Sequence, residues 1–168
     1  MWAIRQRLFL GDYDSGLEAL AGGVQPVEPS GELAPFSGVV SLCPMPLLPE
    51  DNVEEPASEL TEWLKVPISD GGKGEGELEG ALGIALPFVR RRMRAGNVLV
   101  HCAAGMSRSV AVVAAILCEE GLSVEQAFDR IVRAKATAET ISLELLIAPA
   151  AEFRSCLCRL YRSAAARG

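Results

Sequence analysis

The segment that decides the fold is Asn97-Val-Leu-Val-His-Cys-Ala-Ala-Gly-Met-Ser-Arg-Ser109, in which the hydrophobic pattern changes around a single glycine. Its first six residues form a short, mainly apolar run of the kind found in a buried strand. Gly105 permits a tight backbone turn that a side chain would obstruct. From Ser109 to Glu120 the chain is again apolar and long enough for a buried helix. A buried strand that leads through a glycine-containing turn into a helix predicts an α/β domain.

The rest of the chain repeats this alternation of strand and helix. The predicted strands lie within residues 3–11, 38–43 and 63–68. Helices are predicted at residues 12–21 and 78–95, and a further helix is predicted to begin at a capping box formed by Ser123 and Gln126. A last helical region is predicted from residue 139 to about 162, with a break at Pro149. Residues 24–37 contain three prolines and are predicted to form a loop. No repeat or long linker is found, so a single domain over residues 1–168 is expected. The alternation leaves the strand order open.

Composition argues against several classes of protein. The chain has 168 residues, of which 49% are hydrophobic and 23% are charged, so a globular and not a disordered chain is expected. Its formal net charge of −6 argues against binding to nucleic acid or to an anionic membrane surface. The longest apolar stretch, Val110 to Cys118, is about half of the roughly 20 residues that a membrane span requires.

The cysteines and the single histidine favour a reducing compartment and argue against a structural metal. Five cysteines, in a chain whose start lacks the apolar core of a signal peptide, favour free thiols and a cytoplasmic location. No Cys-x-x-Cys pair is present and His101 is the only histidine, so a zinc site is not expected. Cys156 and Cys158 flank one residue of a predicted helix and point in different directions, which favours packing over a redox pair.

The turn between the predicted strand and helix has the residues of an anion cradle. The backbone amides of residues 103–108 can curl into a nest at the positive end of the helix dipole, which suits a phosphate dianion. The same field favours the thiolate form of Cys102. Arg108 offers a planar fork for two phosphate oxygens, and the Ser109 hydroxyl can donate a hydrogen bond to the sulfur. This arrangement indicates nucleophilic attack on phosphorus.

The segment His101-Cys-Ala-Ala-Gly-Met-Ser-Arg-Ser109 resembles the H-C-x-x-G-x-[ST]-R-[ST] loop of the cysteine-dependent protein tyrosine phosphatases, and more narrowly that of the compact dual-specificity phosphatases. Leu8-Phe-Leu-Gly11, Val39-Val-Ser-Leu42 and the run from Ala115 to Ala127 are similar to neighbouring segments of that group. The resemblance implies a central mixed, mainly parallel sheet of about five strands flanked by helices, with the phosphate loop at a strand-to-helix turn. It also implies hydrolysis of phosphotyrosine, and more broadly of phosphoserine and phosphothreonine, in phosphorylated proteins without a cofactor or metal.

The resemblance further assigns roles to individual residues. Cys102 would attack phosphorus and form a phosphocysteine, while Arg108 and the loop amides stabilise the charge of the transferred group. Asp70, in a glycine-rich segment after a predicted strand, matches the position of the family's general acid, although Ser-Asp-Gly-Gly is also an ordinary turn sequence. His101 would support the nucleophile through hydrogen bonds, a role close to that of a buried histidine that orients the loop. The phosphate-binding loop consists of Ala103, Ala104, Gly105, Met106, Ser107 and Arg108.

Cys43, at the end of a predicted strand, allows two interpretations. Some relatives carry a cysteine at this place that forms a reversible disulfide with the nucleophile, and Cys43 would then rescue oxidised Cys102. A small buried packing residue is the simpler interpretation.

The substrate also allows alternatives. Ala103, Ala104 and Met106 bring no cation into the loop, which argues against a head group that carries several phosphates. A phosphatase of a non-protein phosphoester, a rhodanese-like sulfurtransferase and a non-catalytic phosphate-binding module are the competing functions.

Overall fold

The computed structural model describes residues 1–51, 53–71, 75–136 and 147–162, except for the side chains of residues 49 and 75. The strands are β1 (Trp2–Arg5), β2 (Leu8–Gly11), β3 (Val24–Val27), β4 (Glu32–Pro35), β5 (Gly38–Ser41), β6 (Glu62–Lys65) and β7 (Val98–His101). The helices are α1 (Tyr13–Leu20), α2 (Glu75–Met93), α3 (Arg108–Glu119), α4 (Val124–Ala136) and α5 (Ala151–Tyr161), with a short 3-10 turn at Pro49–Asp51.

The central sheet has five strands in the order β1-β2-β7-β5-β6. Strand β1 is antiparallel to β2, whereas the other neighbouring pairs are parallel. In register, His101 at the end of β7 lies between Gly11 of β2 and Ser41 of β5. The predicted mixed, mainly parallel sheet is therefore confirmed. Its parallel strands bring their carboxyl ends to one edge, where the phosphate loop begins.

Helix α3 forms the centre of the hydrophobic core. All its residues from Arg108 to Cys118 are buried, which explains why the segment is apolar on every side. Leu10, Val40 and Val100 of the sheet belong to the same core cluster. Packing thus fixes α3 along its whole length, and the phosphate loop is attached to the amino end of this helix.

Residues 24–37 are not the loop that their prolines predicted, because strands β3 and β4 pair there as an antiparallel hairpin. Each of these strands has only one partner, so a proline can turn its missing N–H to the unpaired side. The Asn97 side chain donates to the carbonyl of Pro26 at 2.9 Å. Since Asn97 immediately precedes β7, the hairpin lies at the opposite end of the sheet from the phosphate loop.

Side chains satisfy free backbone amides at the start of two helices. Asp12 precedes α1 and accepts a hydrogen bond from the Ser15 amide at 2.9 Å. Ser123 and Gln126 form the predicted capping box at the start of α4, with reciprocal bonds of 2.9 and 3.2 Å. The last predicted helix restarts at Ala151, after Pro149, whereas residues 137–146 of that prediction lie outside the described part of the chain. No helix within the described ranges is long and apolar enough to cross a membrane.

Candidate active site

The candidate site lies at the carboxyl edge of the parallel strands. Cys102 follows β7 directly and its residue is only 2% exposed. Its Sγ atom lies 3.2 Å from Oγ of Ser109, in the first turn of α3. The structure therefore brings together, at hydrogen-bond distance, the sulfur and the hydroxyl that the sequence pattern singled out.

The carbonyl groups of the phosphate loop are bonded on its outer side. Ala103 accepts a hydrogen bond from the Tyr13 amide at 3.0 Å, and Met106 accepts one from the Ala148 amide at 2.8 Å. Gly105 accepts one from Nζ of Lys135 at 2.9 Å. Among the described residues, no backbone or side-chain acceptor is bonded to the amides of residues 103–108. These amides are available to an anion.

Gly105 allows the loop to turn as tightly as it does. Its φ is +67°, a left-handed conformation that glycine adopts at little cost. A Cβ atom at this position would lie 2.7 Å from the Trp2 ring and 3.1 Å from the carbonyl oxygen of Gly11. Any other residue would push the loop away from β1 and β2.

The Arg108 guanidinium is held inside the site. Its Nη1 lies 3.3 Å from the carbonyl oxygen of Ile68, and its Nη2 donates to Oδ2 of Asp70 at 3.1 Å. The side chain is 7% exposed. Its Nε atom is buried and has no hydrogen-bond partner within the described part of the chain. An unpaired charged donor of this kind is costly unless an anion binds it.

Asp70 lies on the surface of the same site. Its side chain is 60% exposed, so the carboxylate is in contact with water while it is paired with Arg108. The neighbouring Ser69 is fixed from helix α2, because its amide donates to Oε1 of Glu77 at 2.9 Å. Glu77 was not among the residues predicted from the sequence. Its signal is a carboxylate in the first turn of α2, close to the segment that carries Asp70.

His101 is buried in a chain of hydrogen bonds across the sheet. The Trp63 indole donates to Oγ of Ser41 at 2.8 Å, and Ser41 lies 2.6 Å from Nε2 of His101. Nδ1 lies 3.4 Å from the carbonyl oxygen of Cys102, which can only accept a hydrogen bond. In the tautomer that carries the proton on Nδ1, the Ser41 hydroxyl donates to Nε2. Burial lowers the pKa of His101 to about 4, so the ring is neutral at ordinary pH.

Cys43 lies beyond the end of β5 and is buried. Burial raises the pKa of the Cys43 thiol to about 11, with a smaller contribution from the charge of Cys102. The two cysteines therefore interact electrostatically. None of the five cysteines, which all lie in the described part of the chain, is in a disulfide bond; Cys156 is buried and Cys158 is partly buried in α5.

The structure shows a further group at the loop that sequence reasoning missed, namely the side chain of Lys135. Its signal is periodicity, since Lys135 continues the buried stripe of Phe128 and Ile131 on α4. Within the described residues, no three side chains of histidine, cysteine, aspartate or glutamate form a group that could hold a metal ion.

Solved structures of other proteins share the fold of this chain. Human DUSP28 has the same fold, with a TM-score of 0.65 and 22% sequence identity over 100% of each chain. A mouse putative dual specificity phosphatase, solved with zinc tungstate, has a TM-score of 0.64 and 21% identity over 99% of this chain and 89% of its own. DUSP15 has a TM-score of 0.60 and 22% identity over 99% of this chain and 95% of its own.

A search among curated proteins found no match to the sequence. The family model of the dual specificity phosphatase catalytic domain matches residues 46–158, which is more than half of the chain and includes the phosphate loop. The chain therefore belongs to the dual-specificity phosphatase family.

Proposed function

We propose that this dual-specificity protein phosphatase removes phosphate from phosphotyrosine, and from phosphoserine and phosphothreonine as wider substrates, through a phosphocysteine on Cys102. The observation that carries the proposal is the buried Nε atom of Arg108, a charged donor without a partner, in a loop whose described amides are also unpaired. Both features suit a phosphate dianion beside the sulfur of Cys102.

In the first step, the Cys102 thiolate attacks phosphorus. The S–P bond forms while the bond from phosphorus to the leaving oxygen breaks, and Asp70 gives its proton to that oxygen. Arg108 and the loop amides stabilise the charge on the equatorial oxygens. The phosphate takes over the guanidinium that Asp70 occupies at 3.1 Å, which frees the carboxyl group for the leaving oxygen.

In the second step, water attacks the phosphocysteine. Asp70, now ionised, accepts a proton from the water as the S–P bond breaks and inorganic phosphate forms. The sulfur leaves as a thiolate, and the Ser109 hydroxyl, 3.2 Å away, donates a hydrogen bond to it. His101 orients the backbone of Cys102 and takes no proton, since its ring is held neutral by burial.

The loop also bears on the class of substrate. Ala103, Ala104 and Met106 add no charge beside the single guanidinium of Arg108, which suits one phosphate group on a protein side chain. A phosphatase of the same fold, PTPMT1, has been solved in complex with PI(5)P, with a TM-score of 0.59 and 19% identity. A phosphoinositide is therefore the non-protein substrate to test against phosphopeptides.

We propose a cytoplasmic location, because a nucleophilic Cys102 requires a reducing environment.

We also propose that Cys43 protects Cys102 when Cys102 is oxidised. If a peroxide oxidises Cys102 to a neutral sulfenic acid, the charge that helps to raise the pKa of Cys43 disappears. The Cys43 thiolate can then attack the sulfenic sulfur, so that the S–S bond forms as the S–O bond breaks, and the leaving hydroxide takes a proton from solvent to become water. Peroxide treatment at about pH 7 and pH 9, followed by peptide mass spectrometry, is expected to show a Cys43–Cys102 link, more of it at the higher pH. Sulfinic acid on Cys102 without that link would contradict the redox role.

The function is tested with an aryl phosphate, three phosphopeptides that differ only in the phosphorylated residue, and PI(5)P in vesicles. Reductant and a metal chelator are present throughout. Wild type is expected to hydrolyse the aryl phosphate and the phosphotyrosine peptide, and Cys102→Ser and Arg108→Lys to lose activity. The control Cys158→Ser, which removes a partly buried cysteine of α5, is expected to retain it. Hydrolysis of PI(5)P alone would contradict a protein substrate, and vanadate binding without turnover would indicate a binding module.

A further inference from the structure

Lys135 occupies a core position of helix α4. The buried stripe of this helix runs through Val124, Phe128 and Ile131 to Lys135, at the spacing of an amphipathic helix. Lys135 is 2% exposed. A lysine is seldom buried to this extent, because removing an ammonium group from water costs several kcal/mol unless other groups replace the solvent.

Two groups beside the phosphate loop interact with the Lys135 ammonium. Its Nζ donates to the carbonyl oxygen of Gly105 at 2.9 Å and lies 3.9 Å from the centre of the Trp2 ring. The Trp2 ring also packs against Gly105, where a Cβ atom would lie 2.7 Å from it. Trp2, Gly105 and Lys135 thus form one buried group, here called the loop support.

The hydrogen bond from Lys135 fixes the direction of one peptide unit of the loop. The peptide bond between Gly105 and Met106 is trans, so its carbonyl and its amide point in opposite directions. With the Gly105 carbonyl held on the outer side, the Met106 amide points inward, toward the place of the phosphate. Tyr13 and Ala148 hold two other loop carbonyls through neutral backbone amides. Of these three donors among the described residues, only Lys135 brings a positive charge behind the loop.

We propose that Lys135 is a positioning residue of the phosphate loop, whose buried ammonium orients the Gly105 peptide and adds a positive potential that favours the Cys102 thiolate and the bound phosphate dianion. The inference rests on the proposed function, because it takes Cys102 as the nucleophile. Lys135 lies more than twenty residues beyond the end of the loop motif at Ser109, so the proposal adds to the site a positive charge from outside that motif.

The test uses Lys135→Met and Lys135→Gln in the full chain. Methionine keeps the length of the side chain and loses both the charge and the hydrogen bond. Glutamine loses the charge but can still donate to Gly105. Arg130→Met is the matched control, because Arg130 is on the same helix and carries the same charge, but it donates to the carbonyl of Ile4 in β1, at 3.2 Å, and not to a carbonyl of the loop.

Three quantities are measured for each variant. The first is the pH midpoint of Cys102 alkylation by iodoacetamide, which is followed on the Cys102 peptide by mass spectrometry. The second is the dissociation constant of vanadate, and the third is the midpoint of thermal unfolding. Lys135→Met is expected to raise the alkylation midpoint by about 0.5 to 1 pH unit and to weaken vanadate binding about three- to tenfold. Lys135→Gln is expected to move both in the same direction by less, and Arg130→Met to leave both unchanged.

The outcomes separate this inference from the proposed function. If Lys135→Met does not fold, the glutamine variant decides. Alkylation and vanadate binding equal to those of the wild type in the folded Lys135 variants would overturn the role of Lys135 and leave the function in place. A wild type whose Cys102 is unreactive near neutral pH would overturn the proposed function, and the role of Lys135 with it.

Discussion

The carboxylate of Asp70 and the guanidinium of Arg108 are paired at 3.1 Å, so the proposed general acid occupies the arginine that is proposed to bind phosphate. The pair is asymmetric, since the Arg108 side chain is 7% exposed and that of Asp70 is 60% exposed. A half-exposed carboxylate is held weakly by such a contact. A phosphate dianion that reaches the loop can therefore replace the Asp70 carboxylate at the Arg108 guanidinium. Substrate binding would then also free Asp70 to act as the general acid.

Replacing Asp70 with asparagine separates the two consequences of this pair. Asp70→Asn is expected to lower kcat about 100-fold or more for substrates with a poor leaving group, because no proton reaches the leaving oxygen. Vanadate binding is expected to become stronger by a few-fold, because the competing carboxylate is gone. Asp129→Asn, which removes an exposed carboxylate from α4, is the control for net charge. Unchanged kcat would show that another group supplies the proton.

Removing the hydroxyl of Ser109 tests the second step. Because Oγ lies 3.2 Å from the sulfur, Ser109→Ala is expected to slow the release of the thiolate and to lower kcat about tenfold or more. Formation of the intermediate is expected to change little, so that a burst of product appears before slow turnover. Stopped-flow kinetics with an aryl phosphate measures both phases, with Ser155→Ala in α5 as the control. A lower kcat without a burst would place the effect on the first step.

Gly16 packs against the imidazole of His101, the residue that precedes Cys102. A Cβ atom at this position of α1 would lie 2.3 Å from Cε1 of His101, whereas one at Gly80 of α2 would meet no atom within 4 Å. Gly16→Ala is expected to destabilise the fold by about 1–3 kcal/mol, and Gly80→Ala to stabilise it by about 0.5–1 kcal/mol. Urea unfolding of the two variants measures both values. Equal effects of the two substitutions would contradict the tight contact with His101.

The pH dependence of stability tests the neutral state of His101. Burial lowers its pKa to about 4, and the unfolded chain has the ordinary value of about 6.5. Between these values the unfolded chain binds a proton that the folded chain does not, so the free energy of unfolding falls as the pH falls. The loss between about pH 7.5 and pH 5 is expected to be about 2 kcal/mol.

Comparison with His101→Asn isolates this contribution, because His101 is the only histidine of the chain and the carboxylates are common to both proteins. Urea unfolding at the two pH values is expected to show a steeper loss in the wild type. The same slope in both proteins would mean that the ring is not held neutral.

The features that could be predicted from the sequence are local in the chain. The strand, the glycine turn and the helix around Cys102 follow each other without interruption, so the hydrophobic pattern and a single glycine describe them. The capping box of Ser123 and Gln126 spans four residues. Proximity in sequence also made Ser109 a candidate partner of the sulfur.

The features that the sequence did not predict depend on contacts between distant segments. Lys135 reaches the loop only because α4 packs on α3 and β1, and a lysine on a helix otherwise indicates a solvated position. Glu77 of α2 accepts a hydrogen bond from the amide of Ser69, and the segment between these two residues includes residues outside the described part of the chain. The hairpin of β3 and β4 was missed because proline was taken as a strand breaker, although a strand with one partner tolerates it.

The most direct test of the account is to trap the intermediate on the enzyme. Wild type is mixed with a phosphotyrosine peptide, quenched in acid within milliseconds and digested, and the peptides are examined by mass spectrometry. The account expects a phosphoryl group on Cys102, more of it in Ser109→Ala and none in Cys102→Ser. An active wild type that carries its phosphoryl group on another residue, or forms product while Cys102 stays unmodified, would contradict it.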